Sequence, residues 1–499
     1  MKLPSSLYNW TSVIGAVIAI ISLFMIVFLI TISFFVEVTS SYLGIVIYMI
    51  LPVFLILGLI LIPVGMLRRR RRMRKQQVEG VSRWPQVNLN LKQHRNAFVI
   101  FVISSTAFLF LSAVGTYEAF HYTESIEFCG KVCHSVMQPE YVTYQTSAHA
   151  RVACVDCHVG SGADWYVRSK LSGLYQVYSV LFNKYPRPIP TPISNLRPAQ
   201  ETCEKCHWPE QFYPYKLRTE RHYLADEQNT EWDIILKMKI GSEYHAMGQA
   251  EGIHWHINPN VKIEYMPDST DRQVISWVRY TNLETGEVNT YMDEENMADT
   301  TLMDVENLRS MDCIDCHNRP SHEYYSPPFF TDKSLTRGDI PRELPDIKLV
   351  AMGLHYAVYE DTDSALRTIE KDIKEYYELM YPEIYNDQMP LIEKAIAGVQ
   401  QDFTQNIFPE MKARWDAYPN NIGHINSEGC YRCHNNRHRS QTGRVISKDC
   451  NLCHDILAQG YPGQLNMVGV RDSMEFSHPI DIGGAWKEVH CVECHDPLF

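Results

Sequence analysis

The sequence predicts a membrane-anchored fold, with three N-terminal transmembrane helices before a large domain that is mostly α-helical or irregular and carries a small β insertion. Three observations predict this fold class. The 499-residue chain opens with long apolar runs, its 14 cysteines are paired at short spacing, and its charge divides between two parts. Residues 1–128 carry 11 Lys/Arg against 5 Asp/Glu, whereas the rest carries 35 against 53. A basic membrane end therefore precedes an acidic part.

The membrane anchor is predicted at residues 1–122. Apolar runs cover about 11–34, 43–66 and 97–119, and each exceeds the roughly 20 residues that a helix needs to cross a bilayer. The loop 67–96 carries the basic run Arg68–Lys75, which predicts the cytoplasmic side. The N-terminus is then also cytoplasmic. Everything after the third run is predicted to lie in the periplasm, outside a bacterial inner (cytoplasmic) membrane.

All 14 cysteines fall in seven pairs, and a histidine follows the second cysteine of each pair. The motifs are Cys129/Cys133/His134, Cys154/Cys157/His158, Cys203/Cys206/His207, Cys313/Cys316/His317, Cys430/Cys433/His434, Cys450/Cys453/His454 and Cys491/Cys494/His495. Cys-x-x-Cys-His attaches haem through two thioether bonds, and its histidine is the proximal iron ligand. The sequence therefore predicts seven covalently bound haem c groups, that is, a multihaem c-type cytochrome. The first motif has one extra residue between its cysteines.

Zinc is the alternative cofactor, because paired Cys-x-x-Cys knuckles also build zinc sites. Zinc does not require a histidine after every second cysteine, so the pattern favours haem.

A second axial ligand at each iron distinguishes an electron carrier from a haem that binds substrate. Thirteen histidines lie outside the motifs, more than seven irons need, which favours electron transfer. His322 and His438 follow a motif histidine closely, and His254 and His256 flank Trp255 as on a strand. The distal candidates are His149, His222, His254, His256, His322, His424, His438 and His478. Weaker candidates are His94, His121, His245, His355 and His490.

Motif spacing divides the soluble part. Haems one to three are predicted in 123–207, haem four at 313–322 and haems five to seven in 420–499. The spacer 208–312 contains β-rich segments that predict a hairpin and supplies distal histidines. The spacer 323–419 has helical periodicity punctuated by Pro382 and Pro390. Both spacers are interpreted as scaffold or as docking surface. Residues 165–185 predict an amphipathic helix that packs on the core or lies at the membrane interface.

From Phe128 the sequence resembles the NapC/NirT family of membrane-anchored multihaem cytochromes, which pass electrons from membrane quinol to periplasmic reductases. Met137 follows the first motif, His149 comes 15 residues after His134, and the second motif continues Cys157-His158-Val159. The fourth motif, with His322 five residues after His317, also matches.

This chain departs from the family in four ways. It has three predicted spans rather than one, about 100 inserted residues between motifs three and four, and three extra motifs. Gln176 stands where the family has an acidic quinol-site residue. The resemblance implies Met137 as a ligand of the first haem. It also implies a quinol region formed by Met137, Asp164, Lys170 and Gln176.

The expected function is electron transfer from the membrane quinol pool to a periplasmic or extracellular redox partner, in anaerobic-type respiration. An acidic surface predicts that the partner has a basic docking face; no nucleic acid is expected. One alternative is a conduit subunit of a larger membrane complex, with quinone chemistry elsewhere. Another is a terminal reductase with one open haem, although the chain has no Cys-x-x-Cys-Lys motif.

Overall fold

The computed structural model describes residues 9–35, 46, 50–76, 88–132, 134–159, 163–191, 199–207, 213–241, 252–267, 273–296 and 308–495. The chain divides into two units. One comprises residues 1–137 and 153–155, and the other comprises residues 138–152 and 156–499.

The first unit contains the membrane anchor. Its helices are α1 (Trp10–Phe35), α2 (Leu51–Gln76) and α3 (Lys92–Glu124). All three are long and apolar enough to cross a membrane. Helix α2 continues through the arginine run, so the predicted loop 67–96 is helical up to residue 76, because Arg, Lys, Met and Gln are strong helix formers. The start of the second predicted span, near residue 43, lies outside the described residues.

Helices α1 and α2 pack against each other. The hydroxyl of Ser12 donates a hydrogen bond to the carbonyl of Ile62 across the pair, at 2.8 Å. A Cβ atom at Gly15 would lie 2.7 Å from the carbonyl oxygen of Gly58, so the two backbones approach closely only because these residues lack side chains. Helix α3, by contrast, is exposed along its apolar length.

Short helices follow the anchor. They are α4 (Ile126–Lys131), α5 (His134–Thr146), α6 (Cys154–His158), α7 (Ala163–Leu181) and α8 (Ala199–Cys203). Three of them overlap the first three cysteine motifs. Because Cys-x-x-Cys is one turn of helix, both cysteine side chains can point to one side of that turn.

The second unit contains two antiparallel sheets. Their strands are β1 (Tyr215–Tyr223), β2 (Glu231–Lys239), β3 (Val261–Pro267), β4 (Ile275–Asn282), β5 (Val288–Asp293), β6 (Arg309–Ser310), β7 (His438–Ser440), β8 (His454–Gly460) and β9 (Asn466–Met467). The strand orders are β1-β2-β8-β9 and β6-β3-β4-β5-β7. Strands from the first spacer thus pair with strands that follow motifs five and six.

The second spacer is helical. After the helical turn α9 (Cys313–Cys316) of motif four, it comprises α10 (Pro327–Arg337), α11 (Ile347–Tyr356), α12 (Thr362–Met380), α13 (Pro382–Asp387) and α14 (Met389–Asn406). Pro382 and Pro390 lie in the first turns of α13 and α14, where a missing N–H costs no hydrogen bond. The apolar faces meet in a core in which Ile369, Tyr377 and Phe403 are fully buried.

This helical core contains a buried acid, Asp402. Its Oδ1 accepts a hydrogen bond from the Ser334 hydroxyl at 2.6 Å, and its buried Oδ2 has no partner among the described residues. Burial raises the pKa of Asp402 to about 7, against about 3.9 for an unfolded Asp. The unfolded chain therefore loses this proton between about pH 4 and pH 7 while the folded chain keeps it, so stability falls across that window as pH rises.

Asp402→Asn should remove the loss of stability that Asp402 causes as the pH rises. We expect the variant to be more stable than the native protein at pH 8, by on the order of a few kcal/mol, with the difference shrinking towards pH 4. Thermal unfolding followed by circular dichroism at both pH values measures it. A constant difference at both pH values would contradict the assignment. Asp387→Asn, at an exposed position of α13, serves as the control.

Candidate haem-binding sites

Local backbone structure forms a turn or a helical turn at cysteine motifs two to seven. In motif four, Asp312 and Asp315 form a reciprocal capping box around Cys313. The backbone N–H of His317 then donates to the Cys313 carbonyl at 2.8 Å. Motifs three and five make the equivalent bond, at 2.8 Å and 3.0 Å. The turn therefore fixes the histidine directly beside the two cysteines.

The second cysteine of motif three, Cys206, differs from its partner Cys203 in its surroundings. Helix α8 ends at Cys203, and Cys206 lies in the turn beyond it, where its N–H donates to the Cys203 carbonyl at 3.1 Å. Cys203 is half-buried, whereas Cys206 is exposed, as are Cys157 and Cys494. The structure therefore does not place Cys206 in a buried protein site. Exposure is compatible with a thioether bond, because a cysteine bonded to haem packs on the haem edge rather than on protein. The attachment of haem through Cys206 stays a prediction.

Each of the six motif histidines whose side chain is described faces a histidine from another part of the chain. The distances between ring centroids are His158–His322 6.2 Å, His207–His149 5.9 Å, His317–His254 6.4 Å, His434–His256 5.8 Å, His454–His424 6.3 Å and His495–His478 6.1 Å. This spacing suits a metal between the rings. A metal–imidazole bond of about 2 Å on each side, plus about 1 Å from nitrogen to ring centre, gives about 6 Å.

Hydrogen bonds orient six of these twelve rings. Nδ1 donates to a backbone carbonyl oxygen, which leaves Nε2 as the unprotonated nitrogen that a metal would bind. The pairs are His149–Pro320 3.2 Å, His254–Ile240 3.1 Å, His256–Ile253 2.9 Å, His322–Glu140 2.9 Å, His434–Ser447 2.9 Å and His478–Ile480 2.8 Å.

Burial keeps many of these imidazoles neutral. It lowers the pKa of His158, His254, His256, His317, His322, His424 and His434, and it lowers the pKa of His454 to about 4. Iron binds the neutral form of imidazole, so these rings need not lose a proton to become ligands.

Neighbouring motifs lie side by side in the second unit. The side chains of Cys203 and Cys313 lie close to each other, which links motifs three and four. Burial is the main cause that raises the pKa of both Cys316 and Cys453 to about 11, and the nearby Cys430 is the second cause. Cys430 of motif five therefore lies near motifs four and six. Burial and then Cys450 raise the pKa of Cys491, which links motifs six and seven. Motifs three to seven thus follow one another in space in the order of the sequence.

Comparison with known proteins finds relatives among the c-type cytochromes. Over 497 residues the chain is 41% identical to the cytochrome c-type protein ImcH of Geobacter sulfurreducens, covering 99% of this chain and 96% of that protein. Residues 91–188 match the N-terminal region of the NapC/NirT cytochrome c family.

The chain belongs to this family. It is also 30% identical over 115 residues to the cytochrome c-type protein NrfH of Wolinella succinogenes, covering 22% of this chain and 63% of that protein. No solved structure matches the chain. Membership of the NapC/NirT family establishes a membrane-bound cytochrome that carries covalently attached haem c and acts in electron transport.

Two of the eight distal candidates, His222 and His438, do not face any motif histidine whose side chain is described. His438 is fully buried, its Nδ1 is 3.0 Å from the Asn435 side chain, and its Nε2 is 2.9 Å from the Ile275 carbonyl. Neither nitrogen is therefore available to a metal. His222 is half-exposed, with Nδ1 3.2 Å from Asp332.

The facing pairs do not follow sequence proximity. His322 faces His158 rather than the motif histidine five residues before it. His254 and His256 lie on a 3₁₀ helix, Ile253–Ile257, rather than the predicted strand, and they face different motifs. Three residues per turn place alternate residues on different sides, whereas a strand would place them on one face.

The weaker candidates lie elsewhere. His355 is a core histidine, with Nε2 3.2 Å from the Val399 carbonyl. His490 is 2.9 Å from Glu428. His94 and His121 lie on α3. His245 lies outside the described residues.

The first motif is only partly described. Cys133 and the side chain of His134 lie outside the described residues, and Met137 is half-buried on α5. In the predicted quinol region, Lys170 and Gln176 lie on α7, as does the backbone of Asp164, whose side chain is not described. The leucine face of α7 is exposed: Leu171 by 63%, Leu174 by 68% and Leu181 by 75%.

The donor set fits haem better than zinc. Within the described ranges, no group of three or more Cys, His, Asp or Glu side chains converges as a zinc knuckle requires. The facing histidine rings, each pair beside the two cysteines of one motif, would instead hold a covalently attached haem between two imidazoles.

Proposed function

We propose that this chain oxidises membrane quinol and carries the electrons along seven haems to a periplasmic acceptor. The observation that carries the proposal is the set of six facing histidine pairs. Bound haem supplies one-electron chemistry between ferric and ferrous iron. The histidines would occupy both axial positions, which favours electron transfer over substrate binding at those six sites.

The contacts between neighbouring motifs support a route through the protein. Adjacent cysteines from motif three to motif seven imply adjacent haems, because each haem is attached through its cysteines. Electrons would enter at the first motif and leave near Cys494. In this proposal His134 is the proximal ligand of the first haem, with Met137 a candidate for its other side.

The basic run Arg68–Lys75 supports a cytoplasmic N-terminus and a periplasmic haem domain. Helix α7 then fits the outer membrane surface. Its exposed leucines would enter the lipid, while Arg168 and Lys184 would face headgroups. We assign quinol binding to this region, with Lys170 and Gln176 as hydrogen-bonding candidates and Asp164 as a third candidate.

The acceptor would carry a basic face. Exposed carboxylates near the last motif include Asp472, Glu475, Asp481 and Glu493. Complementary charge accelerates encounter between redox partners and makes their association salt-dependent.

Reduction by a menaquinol analogue in proteoliposomes tests the proposal. We expect the native protein to be reduced by the analogue and Gln176→Leu to be reduced about tenfold more slowly, since one hydrogen bond contributes about 1 kcal/mol or more. Dithionite should reduce both equally. Gln464→Leu, an exposed glutamine near the C-terminus, is the matched control. If the analogue does not reduce the native protein, the proposal is wrong.

A conduit within a larger membrane complex is the second candidate. The observation that favours it is the exposure of α3, in contrast to the packed pair α1 and α2. A membrane subunit that carried its own quinone site and covered α3 would co-purify in stoichiometric amount.

A further inference from the structure

A partly buried charge pair lies beside one of the facing histidines. Arg319, only 10% exposed, donates to both carboxylate oxygens of Glu140 at 2.8 Å. The guanidinium lies over two aromatic rings, 4.8 Å from Tyr324 and 4.2 Å from Tyr418. One guanidinium nitrogen thus contacts both carboxylate oxygens, and the contacts with the two aromatic rings help to hold the guanidinium in place.

Both members of this pair contact His322. Nδ1 of His322 lies 2.9 Å from the Glu140 carbonyl oxygen and 3.2 Å from the Glu140 carboxylate. The Nε of Arg319 donates to the backbone carbonyl of His322 at 2.7 Å. The Nδ1 atom of His256, by comparison, bonds to the carbonyl oxygen of Ile253. His322 therefore contacts one negatively charged residue, Glu140, and one positively charged residue, Arg319.

A carboxylate at Nδ1 strengthens an imidazole as a metal ligand and stabilises the more positive ferric iron. A guanidinium has the opposite effect, because its charge disfavours the ferric state. We propose that Glu140 and Arg319 together set the reduction potential of the second haem, acting through His322. Glu140 lowers the potential and Arg319 raises it. The inference rests on the pairing of His158 with His322 in the proposed function.

Spectroelectrochemical titration of the full-length protein, combined with low-spin electron paramagnetic resonance, tests the proposal. His322→Met identifies the component that belongs to this haem, because a thioether ligand raises the potential. We expect Glu140→Gln to raise the potential of that component and Arg319→Gln to lower it. Each change should alter the ratio of reduced to oxidised haem about tenfold at fixed potential, which is about 59 mV for a one-electron couple.

Potential shifts of opposite sign in the two variants distinguish an effect of charge from structural damage, because a general structural defect would shift the potential of both variants in the same direction. Glu140→Asp should restore the native value. Glu264→Gln removes a comparable partner of an arginine, Arg279, on the sheet and should change no potential. If Glu140→Gln does not accumulate with full haem content, Arg319→Gln and Arg319→Lys are compared instead. Arg319→Gln should lower the potential, whereas Arg319→Lys keeps the positive charge and should leave the potential near the native value.

Three results would overturn the proposal. They are unchanged potentials in both charge variants, shifts of one sign in both, or no component that responds to His322→Met. In the last case the ligand pairing fails, and the inference fails with it. In the first two cases His322→Met still identifies the component, so the pairing stands and only the role of the charge pair is lost.

Discussion

Replacing His256 by alanine is expected to convert one low-spin haem into a high-spin haem that binds carbon monoxide. His256 faces His434 at 5.8 Å, and its ring is fixed by the 2.9 Å bond from Nδ1 to Ile253. Removing the imidazole opens one axial position, which an external ligand can enter. Electron paramagnetic resonance should show a new high-spin signal, and carbon monoxide should bind one further haem per molecule.

His222→Ala is the matched control for that variant. Both His222 and His256 are candidates for distal ligands on the sequence. In the structure, however, His222 lies half-exposed beside Asp332 and faces no motif histidine within the described residues. We expect its spectrum to match that of the native protein. A high-spin signal in His222→Ala, or its absence in His256→Ala, would refute the assignment of the pairs.

Gly429→Ala should prevent normal assembly of haem sites five and six. Gly429 has φ +49°, and a Cβ there would overlap the carbonyl oxygen of Gly423. The N–H of Cys430 donates to that same oxygen at 3.0 Å, so the contact holds motif five against the segment that carries His424. A left-handed conformation costs about 1–2 kcal/mol for a residue with a side chain. Overpacking adds about 1–3 kcal/mol.

The expected result is a loss of about 3 kcal/mol or more in the free energy of unfolding, with incomplete haem content. Haem stoichiometry by pyridine haemochrome assay and thermal unfolding measure it. Gly443→Ala separates the two causes, because Gly443 also has positive φ, +82°, but a Cβ there meets nothing within 4 Å. It should lose only about 1–2 kcal/mol. Equal losses in the two variants would contradict the steric explanation.

The pairing of distant strands is a feature that periodicity does not predict. Strand β8 begins at His454 and pairs with β2, more than 200 residues earlier. Strand β7 pairs with β5, in which the paired residues Asp293 and His438 are also far apart in the sequence. Alternation within a strand predicts which face is buried, but it does not specify a partner, because backbone hydrogen bonds are the same for any strand of suitable length.

The distal ligands illustrate the same limit. Eight candidates can be selected by their context in the sequence, and six of them face a motif histidine. Proximity suggests His438 for motif five, but its two ring nitrogens are occupied by Asn435 and Ile275. The partner of His434 is instead His256, brought there by the turn Ile253–Ile257.

The sequence by itself determined the features that depend on local chemistry. Three apolar runs of sufficient length predict three helices that can cross a membrane, and the structure contains them. The Cys-x-x-Cys-His spacing places haem attachment and a proximal ligand within one helical turn, so neither needs a distant partner. The tertiary structure decided which histidine faces which motif, and it placed Glu140 and Arg319 beside His322. Those choices depend on how segments far apart in the chain pack together, and local spacing carries no information about that packing.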